Sequence, residues 1–261
     1  MWRRAGRTSV EMYDDLAACY HLIFENWDAS IARQAGVLGP LIEAACGKSP
    51  ARILDAACGI GTQAIGLAMR GHAVTGSDLS EAAVARASLE AAARNLAIPF
   101  YAADLRDLSA VPGGPFDTVL IADNAFAHLL SEDDVRRAAA SAAGKLDTGG
   151  ILLATIRDYD SLVTARPAFQ GPAFYDDGGR RRIVHQVWDW TGDRHYTMHL
   201  YITRETATGW KSRHFSSAFH AVPRAMLTGA LEAAGFSTVR WIEPGESGYY
   251  QPIVLARHCR Y

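Results

Sequence analysis

Apolar and polar positions divide the chain into three unlike stretches. From residue 51 to 156, short apolar runs alternate with helical patterns. Ile53-Leu54 leads into Asp55. Gln63 to Arg70 carries apolar residues at Ile65, Leu67, Ala68 and Met69, and Gly71 closes it. Ala73-Val74-Thr75-Gly76 is a second strand-like run, with Asp78 at its end. Helical spacing argues for a helix packed on a sheet, and brief β-rich runs for buried strands. Ser80 is a plausible N-cap for a helix over Ala83 to Asn95. Further strands are predicted at Ile98 to Ala102, Phe116 to Ala122 and Ile151 to Ile156. Ser131 opens a helix to Lys145, with Asp134 three positions on, close to a capping box. Strand–helix alternation with mostly short connections predicts a parallel sheet covered by helices on both faces.

The flanks read differently. Residues 1–50 form a predicted helical cap: Tyr13 to Phe24 leads to Trp27, Ile31 to Leu38 makes a second helix, Gly39 interrupts it, and Pro40 starts a third. Tyr13, Tyr20, Phe24 and Trp27 recur at spacings of 7, 4 and 3, which predicts one helical face. That face either packs on the sheet edge or forms a lid over a ligand, and both readings can hold together. After Ser161 the pattern changes. Residues 161–180 read as a loop, with Pro167, Pro172 and Gly178-Gly179. Arg182 to Trp190 and His195 to Thr206 form a hairpin, and Trp210 to Ala221 a third strand. Val184, Gln186, Trp188 and Trp190 share one face of it. Pro223 begins a helix to Ala234. Phe236 to Ile242 and Pro252 to Arg257 are closing strands around an aromatic loop holding Tyr249 and Tyr250. The predicted division is a cap at 1–50, a Rossmann-like domain at 51–160 with 223–261, and an inserted antiparallel flap at 161–222.

Composition narrows the function. A net charge of −2 over 261 residues argues against bulk binding to nucleic acid or to an anionic membrane. No apolar run approaches the ~20 residues of a membrane span. Met1-Trp2-Arg3-Arg4 is basic but no apolar stretch follows, so no signal peptide is expected. Cys19, Cys46, Cys58 and Cys259 lack C-x-x-C spacing, so neither a metal site nor a disulfide framework is indicated, and a cytoplasmic location is the expectation.

The chemistry concentrates between Ile53 and Ser80. Gly59 and Gly61 let the backbone approach a ligand. The helix behind them offers free N–H groups, and Asp78 can take the hydroxyls of a ribose. Gly59 to Ala64 also resembles the start of a dinucleotide fingerprint, a weak signal alone. Asp55 separates the two: a carboxylate repels a pyrophosphate and suits a cofactor bearing an amino group and a sulfonium. Asp123, Asn124 and His128, at the end of the fourth strand, face the ligand crevice of such a sheet.

The run LDAACGIGTQ with GHAVTGSDLS closely resembles motif I and the next strand end of class I S-adenosylmethionine (SAM) methyltransferases. YDDLAACYHLIFENWDASIARQA, DNAFAHL, IRDYD, QVWDW and SGYYQPIV further resemble bacterial glycine/sarcosine N-methyltransferases. The resemblance implies a mostly parallel Rossmann-like sheet with an antiparallel last strand, and SAM as cofactor, leaving S-adenosylhomocysteine. Tyr20, Trp27 and Arg33 would border the methionine moiety. Asp55, Ala57, Gly59 and Gly61 would form the loop, Asp78 and Leu79 the ribose site, Asp104 and Leu105 the adenine site, with Asp123 beside them. Asn124, His128, Arg157, Tyr159 and Tyr249 would surround the acceptor, joined by Trp188 of the flap and Tyr250. Arg157 would clamp a carboxylate, and Tyr20, His128 or Tyr249 would orient or deprotonate the acceptor. The expectation is N-methylation of a small amino-acid-like molecule, with no nucleic-acid or membrane partner and homo-oligomerisation left open. O- or C-methylation of a specialised metabolite, and SAM binding without catalysis, remain alternatives. A NAD-dependent dehydrogenase is disfavoured by Asp55.

Overall fold

The structure, a computed structural model, describes residues 8–259, so the basic Met1–Arg4 lies outside the described residues. The chain opens with α1 (Ser9–Leu16), a 3-10 turn (Ala17–Ile23) and α2 (Trp27–Cys46). The alternating part follows: β1 (Arg52–Asp55), α3 (Thr62–Met69), β2 (Ala73–Asp78), α4 (Glu81–Ala93), β3 (Phe100–Ala102), β4 (Phe116–Ile121), a 3-10 turn (Ala125–His128), α5 (Glu132–Gly144) and β5 (Leu146–Thr155). Then come α6 (Tyr159–Ala165) and four strands: β6 (Phe169–Asp176), β7 (Arg181–Trp190), β8 (His195–Thr206) and β9 (Gly209–His220). The chain closes with α7 (Arg224–Ala233), β10 (Phe236–Ile242), α8 (Pro244–Ser247) and β11 (Ile253–His258).

The central sheet runs β10-β11-β5-β4-β1-β2-β3, and only β11 is antiparallel to its neighbours. The parallel pairing and the antiparallel last strand are as predicted. β1 lies between β2 and β4, so the strand order reverses there, and a crevice opens at the carboxyl ends of these two strands. β4 is buried along its whole length: Val119 to Ile121 are apolar, and the buried Asp117 is paired with Arg52. Ser80 and Ser131 cap α4 and α5 by accepting from Ala83 N–H and Asp134 N–H.

Three expectations need correction. α2 does not break at Gly39: it runs through Pro40 to Cys46. An interior proline costs ~3 kcal/mol, but Leu38 and Ile42, both fully buried, hold the two halves on one side of the sheet. Tyr13, Tyr20, Phe24 and Trp27 do not share a helical face, because a 3-10 turn and a bend separate them. The first three still cluster, with ring centroids 6.0 and 6.1 Å apart, and Tyr20 and Phe24 pack against the apolar cluster that holds Trp27. Residues 161–180 are not a loop. They hold the end of α6 and all of β6, an edge strand with an irregular register between Gln170 and Ala173. Pro172, the residue that argued against a strand, falls at that irregularity, where a missing N–H is tolerated.

The second sheet therefore has four antiparallel strands, in the order β6-β7-β8-β9. Its inner face (Val184, Trp188, Tyr196, Met198, Leu200, Phe215, Phe219) joins the same apolar cluster as Met12 and Leu16 of α1. Arg182 ties this sheet to the N-terminal cap. Its buried guanidinium donates to the carbonyls of Leu22 and Phe24 and pairs with Asp177 at 2.8 Å. Among the described residues no helix is long and apolar enough to cross a membrane, and all four cysteines are free thiols.

Candidate active site

Two cavities adjoin at the crevice. The larger, about 420 Å³, runs along the ends of β1, β2 and β3 and is covered by the start of α1. Ala57, Gly59, Asp78, Leu79, Asp104, Leu105 and Asp123 line it, as does Tyr20. Gly59 has φ +52, and a Cβ there would project into open space, so the loop leaves its backbone accessible. Gly61 (φ +91) makes the turn into α3 but lines neither cavity. Asp78 accepts from the N–H groups of Gly59 at 2.8 Å and Ser80 at 2.9 Å, which fixes its carboxylate at the cavity wall. Burial pushes its pKa up. Asp104 lines the far end, paired with Arg106 at 2.6 Å; that guanidinium holds its carboxyl below the usual range.

Besides Gly61, two residues expected to touch a cofactor line neither cavity. Asp55 is fully buried beneath the loop and lines neither cavity. Its carboxylate faces the backbone N–H groups of Ala64 and Ala57, and burial, then Asp123 and Asp78, push its pKa up to about 8. Trp27 donates its indole N–H to Thr62 Oγ1 at 2.9 Å and stacks under Arg94. It fastens α2 to the start of α3.

The smaller cavity, about 300 Å³, lies between the central sheet, the cap and the four-stranded sheet. Arg33, Asn124, Arg157 and Tyr250 line it, so Arg33 borders this cavity and not the larger one. Tyr13, Tyr20, Asp123 and His128 belong to both cavities and mark where they meet. Asp123 has φ +53 and accepts from Gln63 Nε2 at 2.7 Å, Tyr249 at 2.9 Å and Tyr250. Tyr249 also reaches Gln34 Oε1 at 2.6 Å and is buried behind Asp123, so it reaches neither cavity. Tyr250 is the member of the pair that faces the smaller one. Tyr159 and Trp188 are supports too. Tyr159 bonds Asn124 Nδ2 at 3.0 Å and Tyr196 at 2.8 Å. Trp188 donates to Gln186 Oε1 at 2.9 Å and carries the Arg157 guanidinium over its ring at 4.7 Å.

Residues 53–150 match the family profile described as "Methyltransferase domain". Among curated relatives, the glycine/sarcosine N-methyltransferase of Parasynechococcus marenigrum is 37% identical over 111 residues, 42% of this chain and 39% of that protein. Rabbit (Oryctolagus cuniculus) glycine N-methyltransferase is 31% identical over 137 residues, 48% of this chain and 46% of that protein. The chain thus spans less than half the length of these relatives. Two solved structures have the same fold throughout. The SAM-bound amino pentose methyltransferase CalS10 of Micromonospora echinaspora has TM-score 0.72 at 23% identity, over 92% of this chain and 95% of that one. DesVI of Streptomyces venezuelae has TM-score 0.75 at 18% identity, over 95% and 98%. The architecture is that of class I methyltransferases with an added antiparallel sheet.

Within the methyltransferase domain and its additions, the charge distribution is uneven. Asp78, Asp104 and Asp123 line the larger cavity, while Arg157 and Arg33 border the smaller one. Arg157 donates to Tyr196 at 3.2 Å and Gln186 at 3.2 Å, and no carboxylate of the described residues pairs with it. His128 contacts the Tyr13 hydroxyl through Nε2 at 3.0 Å, and burial, then Arg157, lower its pKa to about 4. It is neutral in ordinary buffers. Burial pushes the phenols of Tyr13 and Tyr20 up, so both are protonated. Sequence reasoning passed over Tyr13, Gln34, Gln63, Gln186, Tyr196 and Gln251. Tyr13 carried a signal, since it opens the aromatic series with Tyr20. Gln186 and Gln251 lay within the runs QVWDW and SGYYQPIV without being singled out as site residues, whereas Gln34 and Gln63 carried no site signal, because Gln63 meets Asp123 and Gln34 meets Gln63 and Tyr249 only once α2 and α3 have packed.

Proposed function

We propose that this chain is a SAM-dependent methyltransferase acting on the amine of a small amino-acid-like molecule. The observation that carries the reading is the meeting of the two cavities at Tyr13, Tyr20, Asp123 and His128. One cavity suits a methyl donor and the other an acceptor. The larger fits SAM on several counts: Gly59 leaves backbone space, Asp78 presents a carboxylate for a ribose, Asp104 with Leu105 lies where an adenine would end, and the carboxylates of Asp78 and Asp123 on its wall favour a cation. The curated relatives are named for glycine and sarcosine N-methylation, which supports nitrogen over oxygen or carbon.

Bound there, SAM would supply a methyl on a sulfonium: an amine lone pair forms the N–C bond while the S–C bond breaks and its pair stays on sulfur. The protein's part is positioning, which can supply up to ~7–11 kcal/mol of a barrier. Arg157, freed from any internal carboxylate, holds the acceptor's acid group. Asn124 and Gln186 flank it. Neutral His128 accepts a hydrogen bond without adding positive charge beside the reacting amine. Asp123, braced by Tyr249 and Gln63, supplies negative charge at the junction. Displaced acceptor protons leave to solvent, since a histidine with pKa near 4 is too weak a base to store one.

The test is calorimetric titration with SAM, S-adenosylhomocysteine and NAD, followed by a labelled-methyl screen of amines, phenols and carboxylates. Binding of SAM and labelling of amines are expected. NAD binding without SAM binding would end the reading, and labelling of phenols alone would move it to O-methylation.

A further inference from the structure

The walls of the smaller cavity differ in character. Its polar groups come mainly from the ends of the central strands: Asp123, Asn124 and His128 after β4, and Arg157 after β5. Its opposite wall comes from α1, the segment after the 3-10 turn and the inner face of the four-stranded sheet. That wall is mostly apolar, with Leu16, Phe24, Val184, Met198, Leu200 and Phe219, and its polar groups are Tyr13 and Gln186. At 300 Å³ the space holds about ten waters, taking ~30 Å³ each. Glycine, with five non-hydrogen atoms, would leave the apolar wall wet. Water against such a wall is displaced favourably by apolar surface.

We infer that the acceptor is an amphipathic amino acid: a carboxylate on Arg157, an amine at the junction near His128 and Asp123, and an apolar side chain against the β7–β9 wall. This deepens the methyltransferase reading and rests on it. It separates this chain from an enzyme for glycine or sarcosine, neither of which has anything to lay on that wall. Three features agree with it. Arg157 is held by Trp188, Gln186 and Tyr196 yet keeps most of its N–H donors uncommitted. Apart from the half-buried Phe24, the apolar wall is buried and continuous with the core, so it is rigid rather than adaptable. Arg182 pins the carbonyls of Leu22 and Phe24, which keeps the Phe24 end of the wall in place.

The experiment is calorimetry on the full chain saturated with S-adenosylhomocysteine, titrated with glycine, L-phenylalanine, L-leucine, 2-phenylethylamine and 3-phenylpropionate. Phenylalanine or leucine should bind at least tenfold tighter than glycine, as even one methylene in an apolar pocket is worth about 10–200-fold. 3-Phenylpropionate should outbind 2-phenylethylamine, because only the former has a carboxylate for Arg157. Labelled-methyl transfer should follow the same order among the amines. Glycine binding as tightly as the larger amino acids would overturn the apolar half. Equal binding of 2-phenylethylamine and phenylalanine would overturn the carboxylate half. No binding of any probe beside intact S-adenosylhomocysteine binding would overturn the inference and leave the donor site standing. Failure of S-adenosylhomocysteine itself to bind would bring down the underlying reading and the inference with it.

Discussion

Replacing Asp78 by Asn tests the donor site without knowledge of the acceptor. The side chain keeps its shape and loses one acceptor atom. In the wild type, Oδ2 takes the Gly59 N–H at 2.8 Å and Oδ1 takes the Ser80 N–H at 2.9 Å. An amide nitrogen cannot accept, so one of these donors is left facing another donor. An unsatisfied buried donor costs ~1–3 kcal/mol, which for a chain of this size lowers the melting temperature by about 2–10 °C. The ligand loses a bond to a charged acceptor, typically ~1.5–3 kcal/mol. At ~1.4 kcal/mol per decade, the Kd for S-adenosylhomocysteine should rise about 10- to 100-fold. Calorimetric titration of wild type and variant reads the change directly, with thermal unfolding to show that the variant is folded. A folded Asp78→Asn protein with Kd within threefold of wild type would refute the assignment of Asp78 to the donor.

Arg157→Ala should raise the acceptor's KM at least tenfold while leaving S-adenosylhomocysteine affinity within threefold; Arg157→Lys should recover only part of the loss, since an ammonium lacks the planar fork. For His128 the folded pKa, about 4, is below the unfolded value of 6.5, so the unfolded chain binds the proton first. Stability is therefore complete above pH 6.5 and falls as pH drops toward 4, by up to about 3 kcal/mol relative to a His128→Gln variant measured by urea unfolding at pH 7 and 4.5. An equal acid sensitivity in the variant would clear His128 of that role. Arg182→Ala leaves Asp177 without its partner and the carbonyls of Leu22 and Phe24 without a donor. It should cost ~3–5 kcal/mol and speed amide exchange across 17–26 more than in the central sheet; uniform exchange would mean that the cap is held by other contacts.

Much of the fold was written locally. β1, β2, β4 and β5 announce themselves because the parts of a strand buried on both faces read as short apolar runs, such as Ile53-Leu54, Val119 to Ile121 and Ile151 to Ala154, and the helices between them carry caps such as Ser80 and Ser131. Asp78 and Gly59 were legible for the same reason, since a strand end and a tight turn are short-range features. What the sequence could not express were outcomes of packing. α2 continues through Pro40 because Leu38 and Ile42 are both buried against other elements. β6 forms despite Pro172 because β7 offers it an edge. Tyr249 and Tyr250 are neighbours in the chain, yet only the fold turns one behind Asp123 and the other into the cavity. Asp55 and Trp27 look like ligand contacts by their place in the chain, and the closing of the loop and of α2 over α3 buries them as supports. Spacing fixes which residues lie near one another along an element. Which side chain reaches an open cavity depends on groups distant in sequence competing for the same space, and that competition was decided when the cap and the four-stranded sheet closed over the crevice.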